Sequence, residues 1–398
     1  MKILQIANKA IYPPDGGSLA ILSFSQAYIN NGHNVHLLNM LTHKHSNKIS
    51  NIDSSLVNKL KINSVKVHTR ISILKLILNF VFSRTPYIAE RFISKNFSKE
   101  LSSLIQTNNY DLIQIEGLYC LQYIHIINSS FKGKVIYRPH NLEYLIWQRN
   151  AQESKSFIHK YYFSILSKRL YNLEINLLNK YDYIAPISNI DEQYYKVLGN
   201  KKPIKTIPFG INTKFYSENI NKAVYNKDSV CYIGALDWIP NQKGLIWFIE
   251  KSLPIIIKDF PSFKLNIAGR NAPDWLIKKF TSPYIIYHGE VKNANEYLLN
   301  NGPMIVPLFS GSGMRVKIIE GMALKKAIVA TKIAIEGINC TNGENIYISN
   351  DPETFAKSVI RLMSNPSIQN DLGENSFRFV KENYDNTKLA VDLINFIK

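Results

Sequence analysis

Arg315, Lys317 and Glu320 stand close together in the run Ser310-Gly311-Ser312-Gly313-Met314-Arg315-Val316-Lys317-Ile318-Ile319-Glu320. An apolar run at 304–308 reads as a buried strand ahead of the glycines, and Ile318, Ile319, Met322 and Ala323 recur on one face of a helix behind them. A strand, a nearly side-chain-free loop and a helix start direct free backbone N–H groups and the positive end of a helix dipole at one spot, which suits a phosphate. Cations are unfavourable at a helix start unless an anion balances them. Arg315 and Lys317 are therefore the phosphate candidates, with the Gly311, Ser312 and Gly313 amides and the adjoining Met314 beside them. Glu320 follows about one turn on; paired with Lys317 at i−3, it would be an ordinary surface residue.

Glu320-Gly321-Met322-Ala323 followed by Lys326-Ala327-Ile328-Val329 resembles the donor-site signature of the retaining nucleotide-sugar glycosyltransferases of family 4 (group 1), which have the GT-B fold. The resemblance extends, more weakly, over nearly the whole chain. It implies that Glu320 accepts hydrogen bonds from ribose hydroxyls, a role that suits an acceptor-only, bidentate carboxylate. It implies that Arg315 and Lys317 stabilise a departing nucleoside diphosphate. The common form carries a first Glu eight residues before the second; Ser312 occupies that place here. The segment 232–244 is similar to the family's strand-turn G-R-x4-K-G, but Ala235 stands where the Arg would be, and Lys243, the remaining phosphate candidate, comes three residues late. Gly16-Gly17 matches the family's glycine-rich loop after strand one, facing the diphosphate and acceptor. His140, after the strand at 135–137, matches a His beside the donor sugar, and Glu116, ending the strand at 112–116, is placed as an acceptor contact. Arg315, Glu320 and His140 are thus the expected catalytic residues.

The elements that must position these residues are strands alternating with helical stretches. Strands are expected at 3–7, 35–38, 112–116, 135–137 and 183–187, then again at 230–234, 265–268, 285–288, 304–308 and 327–330. Such alternation means parallel sheets. Two successive series mean two Rossmann-like α/β domains, which the GT-B fold sets face to face across a cleft. The first is expected at 1–215, joined by a crossover helix in 384–398, and the second at 216–383. The join lies near Pro208-Phe209-Gly210-Ile211-Asn212, and the polar stretch 216–228 reads as a linker. Helices are expected at 18–30, 157–178 and 387–397.

Three distant cysteines show neither a disulfide framework nor metal spacing. His43 and His45 have no carboxylate at ligand spacing and are read as surface residues. No D-x-D occurs, which argues against the glycosyltransferase class that holds Mg²⁺ or Mn²⁺ on the diphosphate. No metal and no cofactor are expected beyond a nucleotide-sugar substrate. The chain opens on a strand pattern, without a secretory leader, and a cytoplasmic protein is expected. Its net charge is +18, and nine Lys and Arg against Glu90 alone fall in 59–99, interleaved with apolar residues. A basic, apolar, helix-compatible segment suggests an anionic membrane surface and a peripheral location; a solvated helix face over a core stripe is the plainer reading. No nucleic-acid module is visible, and nucleic acid is not an expected partner.

The expected reaction is transfer of a sugar from a nucleotide donor to a lipid-linked glycan in capsule, lipopolysaccharide or similar surface polysaccharide synthesis; retention and independence of metal are what the resemblance implies. Two alternatives stay open: a UDP-sugar 2-epimerase of the same fold, and a non-catalytic nucleotide-sugar- or glycan-binding relative.

Overall fold

The computed structural model describes residues 1–11, 16–42, 59–220, 228–311 and 313–398. The chain divides into two compact units, Met1–Gly210 with Asn386–Lys398, and Ile211–Asp385. These bounds fall five residues before and two residues after those read from the sequence.

The first unit holds β1 (Lys2–Ala7), β2 (Asn34–Leu41), β3 (Leu60–Lys66), β4 (Leu112–Glu116), β5 (Lys134–Arg138) and β6 (Tyr183–Ile184). They form one parallel sheet in the order β3-β2-β1-β4-β5-β6. Its helices include α1 (Gly16–Asn30), α2 (Ile73–Phe82), α3 (Lys95–Thr107), α4 (Glu143–Glu153) and α5 (Phe157–Leu177). The central strands are buried throughout, as a sheet covered on both faces requires.

The second unit holds β7 (Ser229–Ile233), β8 (Lys264–Ala268), β9 (Ile285–Gly289), β10 (Met304–Val306), β11 (Ile328–Ala330) and β12 (Tyr347–Ile348). Their order, β12-β11-β10-β7-β8-β9, is the same doubly wound topology as in the first unit. Here lie α6 (Thr213–Asn219), α7 (Ile239–Trp247), α8 (Val316–Ala323), α9 (Pro352–Ser364) and α10 (Pro366–Asn383). The last helix, α11 (Asn386–Ile397), returns to the first unit, where Asn386 donates to the Ser23 carbonyl of α1 and Leu389 and Leu393 join the core with Phe24. In both sheets the strand order reverses beside the first strand, between β1 and β4 and between β7 and β10. Open α/β sheets bind ligands at the carboxyl ends of strands flanking that point.

Two expectations are corrected, and one strand was not expected. The basic segment 59–99 is not one helix-compatible stretch. It begins with the edge strand β3, whose half-exposed residues hide its pattern, and its Phe92 stacks on Tyr119 at 4.8 Å. The expected linker begins with a helix, α6, while 221–227 lie outside the described residues, as do His43 and His45. Finally, β12, only two residues long, carried no legible pattern.

Gly244 shows how tightly the second unit is packed behind its switch point. A Cβ there would lie 1.7 Å from the Pro307 carbonyl oxygen. Alanine normally favours a helix interior over glycine by up to about 1 kcal/mol. Gly244→Ala should nevertheless lower stability by about 1–3 kcal/mol, because α7 must back away from the segment after β10. Urea unfolding that shows the variant as stable as the parent would contradict this packing.

Candidate functional site

The loop between β10 and α8 carries most of the expected donor residues. Gly311 and Gly313 take φ of +107° and +80°, conformations that L side chains rarely adopt. Gly311 also admits close packing: a Cβ there would meet the Trp238 ring at 2.9 Å and the Arg315 guanidinium at 3.0 Å. Ser312 lies outside the described residues. Met314, half-buried, leads into Arg315, which occupies the N-cap position of α8 and is only 7% exposed. The Arg315 guanidinium donates to the Gly313 carbonyl and sits over the Trp238 ring at 5.7 Å.

Lys317, in the first turn of α8, turns under the loop after β7. Its Nζ donates to the Ile233 carbonyl (3.1 Å) and to Asn241 Oδ1 (3.3 Å), and lies 4.6 Å from the centre of the Tyr232 ring. Burial, and secondarily the Arg315 charge, bring its pKa down to about 7. It does not pair with Glu320. Asn241 also donates to the Ala235 carbonyl at 2.8 Å, so one amide side chain fixes the turn and receives the lysine. Lys243 is exposed on α7; its neighbour Asn241 is the residue that turns toward Lys317. A ring of neutral acceptors around a cation, with a second cation beside it, leaves positive charge to be balanced by an anion.

Glu320 lies one turn further along α8. Burial raises its carboxyl pKa to about 7, and the hydrogen bond from the Tyr216 hydroxyl (3.0 Å) tempers the rise. Tyr216 belongs to α6, so the sequence reading missed it inside a presumed linker. A carboxylate already accepting one hydroxyl is suited to accept others, since it has about four lone-pair sites.

In the first unit, Glu116 ends β4 and is 1% exposed. Its Oε2 lies 2.6 Å from His140 Nε2 and 3.8 Å from Arg138 Nε, while Gln114 Nε2 donates to Oε1. Burial alone would raise its carboxyl pKa, but His140, Arg138 and Gln114 together hold it below the usual value. This corrects the expectation of an acceptor contact: both oxygens are engaged beneath His140, and the residue acts by orienting the imidazole. An ionised Glu116 assigns the proton to Nε2 and leaves Nδ1 as the nitrogen that can meet a ligand. His140 is 19% exposed. Its loop is held by buried Glu174 of α5, which accepts the Glu143 amide (2.9 Å) at the start of α4, and by Tyr119, which donates to Glu143 Oε2 (2.9 Å). Gly16 and Gly17 open α1.

Residues 14–215 match the Glycosyltransferase Family 4 domain, and residues 227–365 match Glycosyl transferases group 1. The chain belongs to this glycosyltransferase family. A Klebsiella pneumoniae relative, an uncharacterized 44.6 kDa protein in the cps region, is 27% identical over 98% of this chain and 97% of its own. Among solved structures, sucrose-phosphate synthase from Thermosynechococcus elongatus superposes with a TM-score of 0.71, at 14% identity, covering 99% of this chain and 98% of its own. Anabaena Alr3699/HepE in complex with UDP gives 0.67, at 13% identity, with 99% of each chain covered. These likenesses show the GT-B fold of this glycosyltransferase.

The buried lysine gives the glycosyltransferase a pH signature. Unfolded, Lys317 titrates near 10.5; folded, near 7. Between those values the unfolded chain binds a proton that the folded site rejects, so stability rises with pH across that window. Below pH 7 the cost of the buried charge is fully present. Lys317→Met should therefore stabilise the unliganded protein more at pH 6 than at pH 10. Chemical denaturation showing the same difference at both values would contradict the burial of this charge.

Proposed function

We propose that this glycosyltransferase moves a sugar from a nucleotide-sugar donor to a lipid-linked surface glycan, with retention of anomeric configuration and without a metal. The observation that carries the reading is Lys317, an enclosed ammonium with neutral partners beside Arg315 and one turn before Glu320. That spacing fits a diphosphate on the two cations and a ribose diol on the carboxylate. Alr3699/HepE, with the same fold, was solved with UDP, and the Klebsiella relative comes from a cps region. The first supports a nucleotide donor and the second a capsule-type glycan; the reading places the reaction at the inner face of the cytoplasmic membrane.

In this reading the acceptor oxygen bonds to the anomeric carbon as the bond from that carbon to the diphosphate oxygen breaks. The acceptor's proton passes to the departing oxygen on the same face, so no protein nucleophile is used. Arg315, Lys317 and the amides of Gly311 and Gly313 stabilise charge that grows on the leaving group, most strongly in the transition state. On the first unit, His140, held in place by Glu116, offers its Nδ1 to a sugar hydroxyl.

Glu320→Ala should weaken use of the donor by about 1.5–3 kcal/mol, the worth of a charged hydrogen bond. Arg315→Ala should reduce kcat more than it raises KM. EDTA should leave transfer intact. Steady-state kinetics on purified protein check all three; wild-type kinetics for a folded Glu320→Ala, or a strict Mg²⁺ requirement, would overturn the assignment. Conversion of the donor's sugar in the absence of any acceptor would reveal an epimerase.

A further inference from the structure

Helix α2 is built inside out. Ile73, Leu74, Ile77, Leu78, Val81 and Phe82 recur along one stripe, and that stripe faces outward at 48 to 82% exposure. The residue it buries is polar: Asn79 donates to the Thr85 carbonyl (2.9 Å) and to Glu90. The helix is nevertheless fixed. Arg169 of α5 donates to the Asn79 carbonyl (3.3 Å) and the Phe80 carbonyl (2.6 Å) near the end of α2, and Phe80 meets Tyr162 at 6.0 Å between ring centres. The apolar surface continues onto the start of α5. Ile158 shares a helical face with Tyr162, and Phe157, Ile158 and Tyr161 are 60 to 82% exposed.

The charge around this surface is mainly positive, with exposed Glu153 before α5 as an exception. Arg70, Lys75 and Arg84 lie on or beside α2, and Lys155 and Lys160 lie at the start of α5; all are exposed. The one acid of 59–99, Glu90, turns its carboxylate to Asn79 and Ser83. A second copy of this chain would bring like charges together. An anionic bilayer answers both features, because headgroups meet the cations while acyl chains receive the stripe. Ten residues of helix span about 15 Å, half the hydrocarbon core, so α2 lies in the interface plane.

We propose that the outer stripe of α2 and the first turn of α5 enter the headgroup–acyl boundary of an anionic lipid bilayer. This deepens the lipid-linked acceptor proposed above and rests on it for its purpose, while vesicle flotation itself needs neither donor nor acceptor. It also narrows the sequence expectation. The contact is an insertion by α2 and α5, and β3 and α3 take no part.

The test is flotation of the full chain with vesicles of phosphatidylcholine alone or with roughly a third phosphatidylglycerol. The parent should float with the anionic vesicles and far less with the neutral ones. Leu74→Ser/Ile77→Ser/Val81→Ser should lose more than about tenfold in partitioning, since several apolar side chains no longer leave water. Lys75→Gln/Arg84→Gln/Lys160→Gln should lose roughly a hundredfold at low salt, at about fivefold per cation. Both variants should keep the parent's circular dichroism and its transfer to a short soluble acceptor. Undiminished binding by the serine variant, or a parent that ignores vesicles and forms a dimer which that variant abolishes, would overturn the proposal. Vesicle binding without any glycosyl transfer would leave it standing and remove the functional reading instead.

Discussion

Lys317 holds its ammonium against a carbonyl, an amide oxygen and an aromatic ring, and among the described residues no carboxylate answers it. Much of the second unit's local structure follows from that arrangement. Gly234 leaves room for the Nζ, which would stand 3.2 Å from a Cβ there. Asn241 must point inward, so it ties the turn after β7 to α7. Gly244 lets α7 lie against the segment after β10, the strand that leads into the Gly311–Gly313 loop. A buried charge with neutral partners costs free energy in the unliganded protein. Such a cost is tolerated where a ligand of opposite charge recovers it, which is why perturbed lysines gather at functional sites.

The first unit solves a similar problem with the opposite sign. Glu116 is a buried carboxylate at the carboxyl end of β4, and it is satisfied within the protein by His140, Gln114 and Arg138. The network extends through Gln114 Oε1 to the hydroxyl of Tyr28 on α1. Arg138 adds bonds to the carbonyls of Ile207 (3.2 Å) and Pro208 (3.1 Å), so the end of β5 is braced from two sides. What reaches the surface is one imidazole in a fixed orientation. Each unit therefore presents its candidate site groups at the carboxyl ends of its strands, with the supporting polar groups underneath.

The alternation of strands and helices was legible in the sequence because buried parallel strands are short apolar runs, and 112–116 and 265–268 could hardly be anything else. The glycine loop that turns into α8 was legible too, since an apolar strand, two glycines and a helical face follow one another there. Residues that act through distant partners were not. Tyr216 lies 104 positions from Glu320, and nothing local marks a tyrosine in a polar stretch as its partner. Asn241 was invisible for the same reason, although Lys243, two positions on, was singled out through the resemblance. Glu116 was placed at the right strand end, but its burial beneath His140 depends on β5 and its loop. The basic character of 59–99 was plain, whereas the part of it that exposes apolar residues depends on α5 packing under one face of α2.

In the proposed donor site Lys317 and Glu320, whose pKa values both lie near 7, are only partly charged until a nucleoside diphosphate binds. Binding must then charge both groups, the lysine by taking up a proton and the glutamate by releasing one. Calorimetric titration with UDP near pH 7, in buffers of differing ionisation enthalpy, measures the net proton count. Lys317→Met should shift that count toward release, and Glu320→Gln should shift it toward uptake. A proton balance identical in the parent and both variants, with UDP bound in each, would contradict the account.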